Sequence, residues 1–343
     1  MLKLLICVEA VDIDDTAQGF FVPWLQELSR QGIHAKIICL REGRHEELLH
    51  DVFVLPSGKG MYAKIRRGWE LIRYSWGMRH GYDAVFVRGA PVFVLSAGWV
   101  WRLLNKRIVL WYAHYKTSSA LNAAVVLSHV VVTSAKEACS IESNKLHVIG
   151  QSIDVTRFII PAGKMFDTNR TIVLGRISEV KQVPRIIHLF ERSIFSTRKN
   201  GELDIIGKPF DQSAEKVREL VQLNANVRWM KEGFSYDRIP EIVGAYDIMI
   251  NLYEGSIDKS ILEGMACGVI PIISTDAAEG LLPGNLHWLI ARTDEEILGT
   301  MNRVAEMDGE ARRTLAHTLR EIVASHHSLK SQIHSIVHLA TSG

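Results

Sequence analysis

Two stretches of this sequence join residue types that suit phosphate and ribose chemistry. In Gly175-Arg176-Ile177-Ser178-Glu179-Val180-Lys181, an arginine stands directly past an apolar run at 172–174, and a lysine follows five residues later. Such a pair suits a diphosphate, since a guanidinium can hold two oxygens in its plane while an ammonium adds a point charge. The same residues also read as solvated charges at a strand end. The second stretch follows an apolar run at 248–250 and reads Asn251-Leu252-Tyr253-Glu254-Gly255-Ser256-Ile257-Asp258-Lys259-Ser260-Ile261-Leu262-Glu263-Gly264-Met265-Ala266-Cys267-Gly268. A Gly-Ser turn there opens a helix, leaving free backbone N–H groups and a positive dipole end that attract an anion. Glu263 falls on the first turns of that helix, where a carboxylate can bridge the vicinal hydroxyls of a ribose. A solvated helix charge is the plainer reading of Glu263, and its apolar neighbours weigh against it. Gly268 and Pro271 end the helix and start another strand.

These stretches need strands and helices to place them. Short apolar runs alternate with amphipathic, helix-length segments along most of the chain. Runs at 2–8, 35–40, 52–55, 84–87, 108–111, 130–132 and 147–149 predict buried strands of a first α/β sheet. Helical spacing predicts helices over 20–31 and 61–79; in the second, Tyr62, Ile65, Trp69, Ile72 and Trp76 share one face. A polar stretch near 156–170 interrupts the pattern. The alternation resumes at 172–174, 203–206, 227–230, 248–250, 270–273 and 287–290, and the last forty residues are helical in pattern. Two doubly wound α/β domains are expected, 1–158 and 171–343, the second carrying the terminal helices. Ligands of such sheets sit beyond the carboxyl ends of the strands, where both stretches lie.

Arg176…Lys181 together with the run from Asp258 to Gly268 resembles the second domain of the retaining glycosyltransferases of family 4. Val148-Ile149-Gly150-Gln151-Ser152-Ile153-Asp154 is similar to the segment that closes the first domain in that family. The resemblance implies the GT-B architecture: two Rossmann-like domains facing a deep cleft, the first on the acceptor side and the second holding a nucleotide-sugar donor. It implies that Arg176 and Lys181 hold the donor diphosphate, that N–H groups from Ser256 to Lys259 hold its distal phosphate, and that Glu263 grips the ribose. Gly207 matches the strand-end glycine near the base, and Gly19 the glycine loop after the first strand. His114 ends a first-domain strand where the family places a polar residue against the transferred sugar, although a satisfied strand-end histidine also fits.

The chain departs from the family pattern in three places. Most members carry two glutamates eight positions apart, and here the first position is Gly255. The sugar-facing carboxylate is then Glu254 or Asp258. Ser152 replaces a common glycine, and Gly19 stands alone where a glycine pair is frequent. The implied activity is transfer of a sugar from a UDP- or GDP-sugar to a glycan or lipid-linked acceptor in bacterial surface polysaccharide biosynthesis. A sugar-nucleotide epimerase on the same fold, or an inactive nucleotide-sugar-binding subunit, would share much of the site. No cofactor and no metal are expected: Asp12-Ile13-Asp14-Asp15 has the spacing of a metal-binding triplet but follows the first strand, away from the donor.

Composition narrows the field further. With 47% hydrophobic and 23% charged residues over 343 positions, the chain can bury a core in each of two domains. A formal net charge of +2 excludes a wholly basic nucleic-acid binder. Cys7, Cys39, Cys139 and Cys267 lie far apart and suggest neither a zinc site nor a disulfide framework. Residues 2–8 are followed at once by acidic residues, unlike a signal peptide, so a cytoplasmic protein is expected. The charge is unevenly spread: 19 Lys+Arg against 14 Asp+Glu over residues 1–160, and 21 against 24 over the rest. Residues 59–107 carry ten basic residues and only Glu70 and Asp83, interleaved with Trp69, Tyr74, Trp76, Trp99 and Trp101. Such a segment suits an anionic membrane surface, unless the aromatics pack into the core.

Overall fold

The structure is a computed structural model that describes residues 2–15, 17–45, 48–114, 117–198 and 201–342. It divides into two compact units, Met1–Ser152 with Leu329–Gly343, and Ile153–Ser328. In the first, β1 (Lys3–Val11), α1 (Phe21–Arg30), β2 (His34–Glu42), β3 (Asp51–Val54), α2 (Gly60–Gly77), β4 (Ala84–Arg88), α3 (Pro91–Leu103), β5 (Arg107–Trp111), α4 (Ser119–Leu127), β6 (Val130–Thr133) and β7 (Leu146–Val148) follow in order. The strands form one parallel sheet in the order β3-β2-β1-β4-β5-β6-β7, which reverses direction between β1 and β4. β1 shows why: Leu4, Ile6 and Val8 enter a core on one face, and Leu5 and Cys7 a core on the other. Both faces are thus covered, as parallel sheets require.

The second unit holds β8 (Arg170–Leu174), α5 (Val183–Arg192), β9 (Glu202–Ile206), α6 (Ser213–Leu223), β10 (Val227–Met230), α7 (Ile239–Gly244), β11 (Ile248–Asn251), α8 (Lys259–Ala266), β12 (Ile270–Ile273), α9 (Asp294–Glu306) and α10 (Gly309–His326). Its parallel sheet runs β10-β9-β8-β11-β12, with its switch point between β8 and β11. The twelve strands fall on the first twelve apolar runs, and the α/β class with terminal helices is that of the sequence. The thirteenth run, 287–290, is not a strand. Gly284–Leu289 forms a 3₁₀ turn, and only Ile290 makes an isolated bridge, to Ile273.

The terminal helices do not stay together. α11 (Leu329–Thr341) belongs to the first unit, where Leu329, Ile333, Ile336 and Ala340 pack with Trp24, Leu28 and β1. Gln332 fastens it, donating to Gly150 O at 2.8 Å and accepting from Trp24 Nε1 at 3.3 Å. The first sheet needs this cover on its α1 face. The unit that holds the second sheet runs from Ile153 to Ser328.

The apolar stripe of α2 also lies otherwise than burial would place it. Tyr62 is 80% exposed and Trp69 70%, with Met61, Ile65 and Trp76 also exposed, while the helix buries Ala63, Leu71 and Ser75. Small residues let α2 approach α3: a methyl at Gly68 would sit 3.7 Å from Ser96 Oγ. The large side chains are left outside. Val92, Trp99 and Leu103 of α3 and Val126 of α4 are exposed too, so the packed layer of α2, α3 and α4 presents aromatic and aliphatic groups to solvent.

Candidate functional site

Past the carboxyl ends of β8 and β11, at the switch point of the second sheet, lies a small pocket. Gly175, Arg176, Lys181, Asn251 and Leu252 are among its lining residues. Its floor is fixed by glycines. Gly175 has φ +133°, and a Cβ on Gly207 would stand 1.8 Å from Gly175 O, so only glycine lets the ends of β8 and β9 meet. Arg176 then emerges exposed, its guanidinium 4.5 Å from the Phe210 ring centroid. No carboxylate among the described residues pairs with it within ion-pair distance.

Lys181 closes a 3₁₀ turn, Glu179–Lys181, and its ammonium is bonded to Asp258. It also stands 4.5 Å from the Tyr253 ring centroid. Asn251 Nδ2 donates to the same Asp258 oxygen at 3.0 Å. Burial alone would raise the Asp258 carboxyl; the Lys181 charge and the hydrogen bonds from Lys181, Asn251 and Ser260 together hold it below its ordinary value. Gln182 follows in the left-handed region, φ 51°. From there its Nε2 donates to Glu254 Oε1 at 3.0 Å and Leu252 O at 2.9 Å, which ties the exposed Glu254 to the strand end.

Helix α8 is buried along Ser260–Ala266, so both its ends must be satisfied internally. At its carboxyl end Arg320 donates to Ala266 O at 2.5 Å and Lys164 to Cys267 O at 3.2 Å, cations matched to the negative pole. Desolvation of Lys164 lowers its pKa to about 8. At the amino end, the N–H groups of Gly255, Ser256, Ile257 and Asp258 donate to no backbone carbonyl among the described residues. Glu263, 5% exposed, accepts from Tyr236 Oη at 2.6 Å and lies 3.4 Å from Lys259 Nζ. Burial raises its carboxyl above the usual range, against the pull of Lys259 and Tyr236. It is therefore no solvated helix charge.

Residues 168–306 match the family model for group 1 glycosyl transferases. The chain carries a group 1 glycosyltransferase domain. No curated protein sequence matches the chain. Solved structures match it over nearly its whole length. HepE of Anabaena, determined with UDP and glucose, is 15% identical with a TM-score of 0.76, covering 98% of this chain and 99% of its own. WaaG, a glycosyltransferase involved in lipopolysaccharide biosynthesis, is 12% identical with a TM-score of 0.68, covering 99% and 100%. TarM of S. aureus, determined with UDP, is 9% identical with a TM-score of 0.76, covering 100% of both. The fold is GT-B.

In this glycosyltransferase, Arg176, Lys181, Gly207, Glu254, Ser256, Asp258, Lys259 and Glu263 all fall in the second unit. His114 and Gly19 fall in the first: His114 exposed three residues past β5, Gly19 buried with its N–H on Asp15 O at 2.8 Å. The acidic loop is occupied by its own ion pairs. Arg44 holds both Asp14 oxygens at 2.9 Å, Arg41 holds Asp15 at 2.8 Å, and Asp12 accepts from Arg44 N at 3.1 Å. Ser152, in place of a common glycine, carries no positive φ; the positive φ of its segment, +74°, is at Gly150. Three residues of the site escaped sequence reading: Asn251, Gln182 and Tyr236. Asn251 had a signal, a polar side chain at the end of an apolar strand. Tyr236, 27 positions from Glu263, had none.

Proposed function

We propose that this protein is a retaining, metal-independent glycosyltransferase that moves a sugar from a UDP- or GDP-sugar to a glycan or lipid-linked acceptor, in bacterial surface polysaccharide biosynthesis. The observation that carries the reading is the convergence of Arg176, Lys181 and the open amino end of α8 at one switch point, with buried Glu263 one helix turn deeper. Breaking the sugar–phosphate bond places negative charge on the departing diphosphate. Arg176, Lys181 and the N–H groups at 255–258 are fixed before the reaction and would stabilise that charge without reorganising. Glu263, already bonded to Tyr236, would hold the ribose hydroxyls. Retention follows from the family resemblance, with the leaving phosphate taking the proton of the acceptor hydroxyl.

The exposed apolar layer on α2, α3 and α4 extends the reading to location. Lys64, Arg66, Arg73 and Arg102 are exposed on the same helices. Aromatic groups that enter a headgroup layer, surrounded by cations, fit the anionic inner face of a cell membrane. Among the described residues no helix is long and apolar enough to cross one.

The deciding experiment is a thermal-shift panel of UDP, GDP, ADP and CDP, followed by donor turnover with the sugar nucleotides of whichever base binds. Stabilisation by one diphosphate and release of that diphosphate from its sugar form are expected. If none of the four stabilises the protein, the reading fails; an epimerised donor would instead identify an epimerase.

A further inference from the structure

The first sheet has a buried cation at its own switch point that the reading above does not use. Arg88 is the last residue of β4, which lies beside β1 where the strand order reverses. Its guanidinium carbon stands 4.5 Å from the Phe20 ring centroid, 5.8 Å from that of Phe21 and 4.9 Å from that of Trp111. Phe20 and Phe21 lead into α1, and Trp111 ends β5. Nη1 is buried and has no hydrogen-bond partner among the described residues. Desolvation is the sole influence on this group and lowers its pKa to about 9, which leaves it charged at neutral pH. The residue as a whole is half-buried.

A charge withdrawn from water without a counter-charge burdens the fold. The aromatic faces offset part of that through their quadrupoles, but they offer no in-plane acceptor to Nη1. Arg312, the buried arginine of the second unit, shows the contrast: it donates to Val304 O at 2.9 Å, Ala305 O at 3.0 Å and Phe166 O at 3.2 Å. Arg88 has no such role in holding backbone. The planar N–H edge of a guanidinium matches an oxyanion, and Nη1 is the part of it left without an acceptor. The neighbourhood favours the same ligand. α3 starts at Pro91, three residues on, without a side-chain cap, and Gly89 between them (φ +84°) has open space where a Cβ would stand. Two residues before Phe20, Gln18 Oε1 is also buried without a partner, an acceptor suited to a hydroxyl.

We propose that Arg88 binds an oxyanion on the acceptor, so that the acceptor is an acidic sugar carrying a phosphate or a carboxylate. This rests on the reading of the first unit as the acceptor side. Glucose 1-phosphate, glucuronate and glucose serve as probes against the full chain, read by thermal shift and by calorimetric titration, with UDP titrated in parallel. In the wild type, glucose 1-phosphate or glucuronate should bind saturably and glucose should not; the arm that responds tells phosphate from carboxylate. R88M should weaken that binding by about tenfold or more, with R88K between the two. R176A should leave it intact, and R88M should keep the wild-type response to UDP. The proposal is overturned if neither anion binds the wild type, if R88M and R88K bind like the wild type, or if R176A abolishes the response instead. A wild type that answers the anion through Arg88 but never UDP would remove the donor reading and leave this site standing.

Discussion

The ammonium of Lys181 is bonded to the carboxylate of Asp258, a residue 77 positions away that lies at the amino end of α8. Both side chains are mostly covered, 17% and 24% exposed, so the pair is only partly screened by water. An incoming diphosphate would meet Lys181 already held in place and would share it with Asp258. Asp258→Asn should therefore cost about 2 kcal/mol of stability, between the values for exposed and buried pairs. UDP should raise the Tm of this variant by more than it raises that of the wild type, because phosphate replaces the missing negative charge. The Asp258 carboxyl is held below its ordinary value, so its contribution is present above the unfolded pKa of about 3.9 and disappears as pH falls through the lower folded value. Between about pH 5 and 3 the wild type should lose more Tm than Asp258→Asn. A smaller UDP shift in the variant would show that Lys181 does not meet phosphate.

Glu263 works in the opposite direction. Its folded pKa is raised above the ordinary 4.5, first by burial, so the fold binds a proton more readily than the unfolded chain does. Stability attributable to this group is greatest at low pH and declines as pH rises from 4.5 through the folded value. Glu263→Gln keeps a partner for Tyr236 and removes the buried charge. It should raise Tm at pH 7, flatten the pH dependence above 4.5, and weaken UDP binding by about tenfold to a hundredfold through loss of the charged ribose contact. Wild-type UDP affinity in Glu263→Gln would assign the glutamate to structure alone.

Arg176 is exposed and lies over Phe210, so its loss should leave Tm nearly unchanged. Arg176→Ala should weaken UDP by about tenfold or more while uridine binds as before, since a guanidinium bonded to diphosphate has no contact with the nucleoside. Calorimetric titration of both ligands separates the two; equal losses for UDP and uridine would disprove the assignment.

How much of this could be read in the sequence depends on how local the cause was. The strands at Ile248–Asn251 and Ile270–Ile273 are set by isoleucine-rich runs between turn signals, and the residues expected to meet phosphate were legible because they follow β8 and β11 directly. Gly207 was marked only by the family resemblance, and its physical reason, the approach of Gly175 O, is visible only in three dimensions. Long-range partners were out of reach: nothing near Glu263 points to Tyr236, and nothing in α11 says which sheet its apolar face will cover. The α2 stripe was visible as a stripe. Periodicity defines a face without saying whether it turns inward, and the small residues Ala63, Gly68 and Ser75 decided that.

The direction in which α2 faces leads to a test of the membrane reading. Trp69 and Trp99 are 70% and 54% exposed and serve no core, so replacing them by serine should change stability by less than about 1 kcal/mol. If the α2–α3–α4 layer enters a headgroup region, each loss removes apolar area from the contact, and the double variant should co-sediment with anionic vesicles about tenfold less well. Arg66→Glu and Arg73→Glu together should weaken binding to anionic vesicles through the loss of attraction and should make it less sensitive to salt, at about 1 kcal/mol per cation near the surface. Vesicle co-sedimentation across a salt series measures both. The two sets of variants act through different physics, so their losses should add when combined. Equal binding of the wild type to neutral and anionic vesicles would remove the electrostatic part of the reading, and unchanged binding of the tryptophan variant would remove the rest.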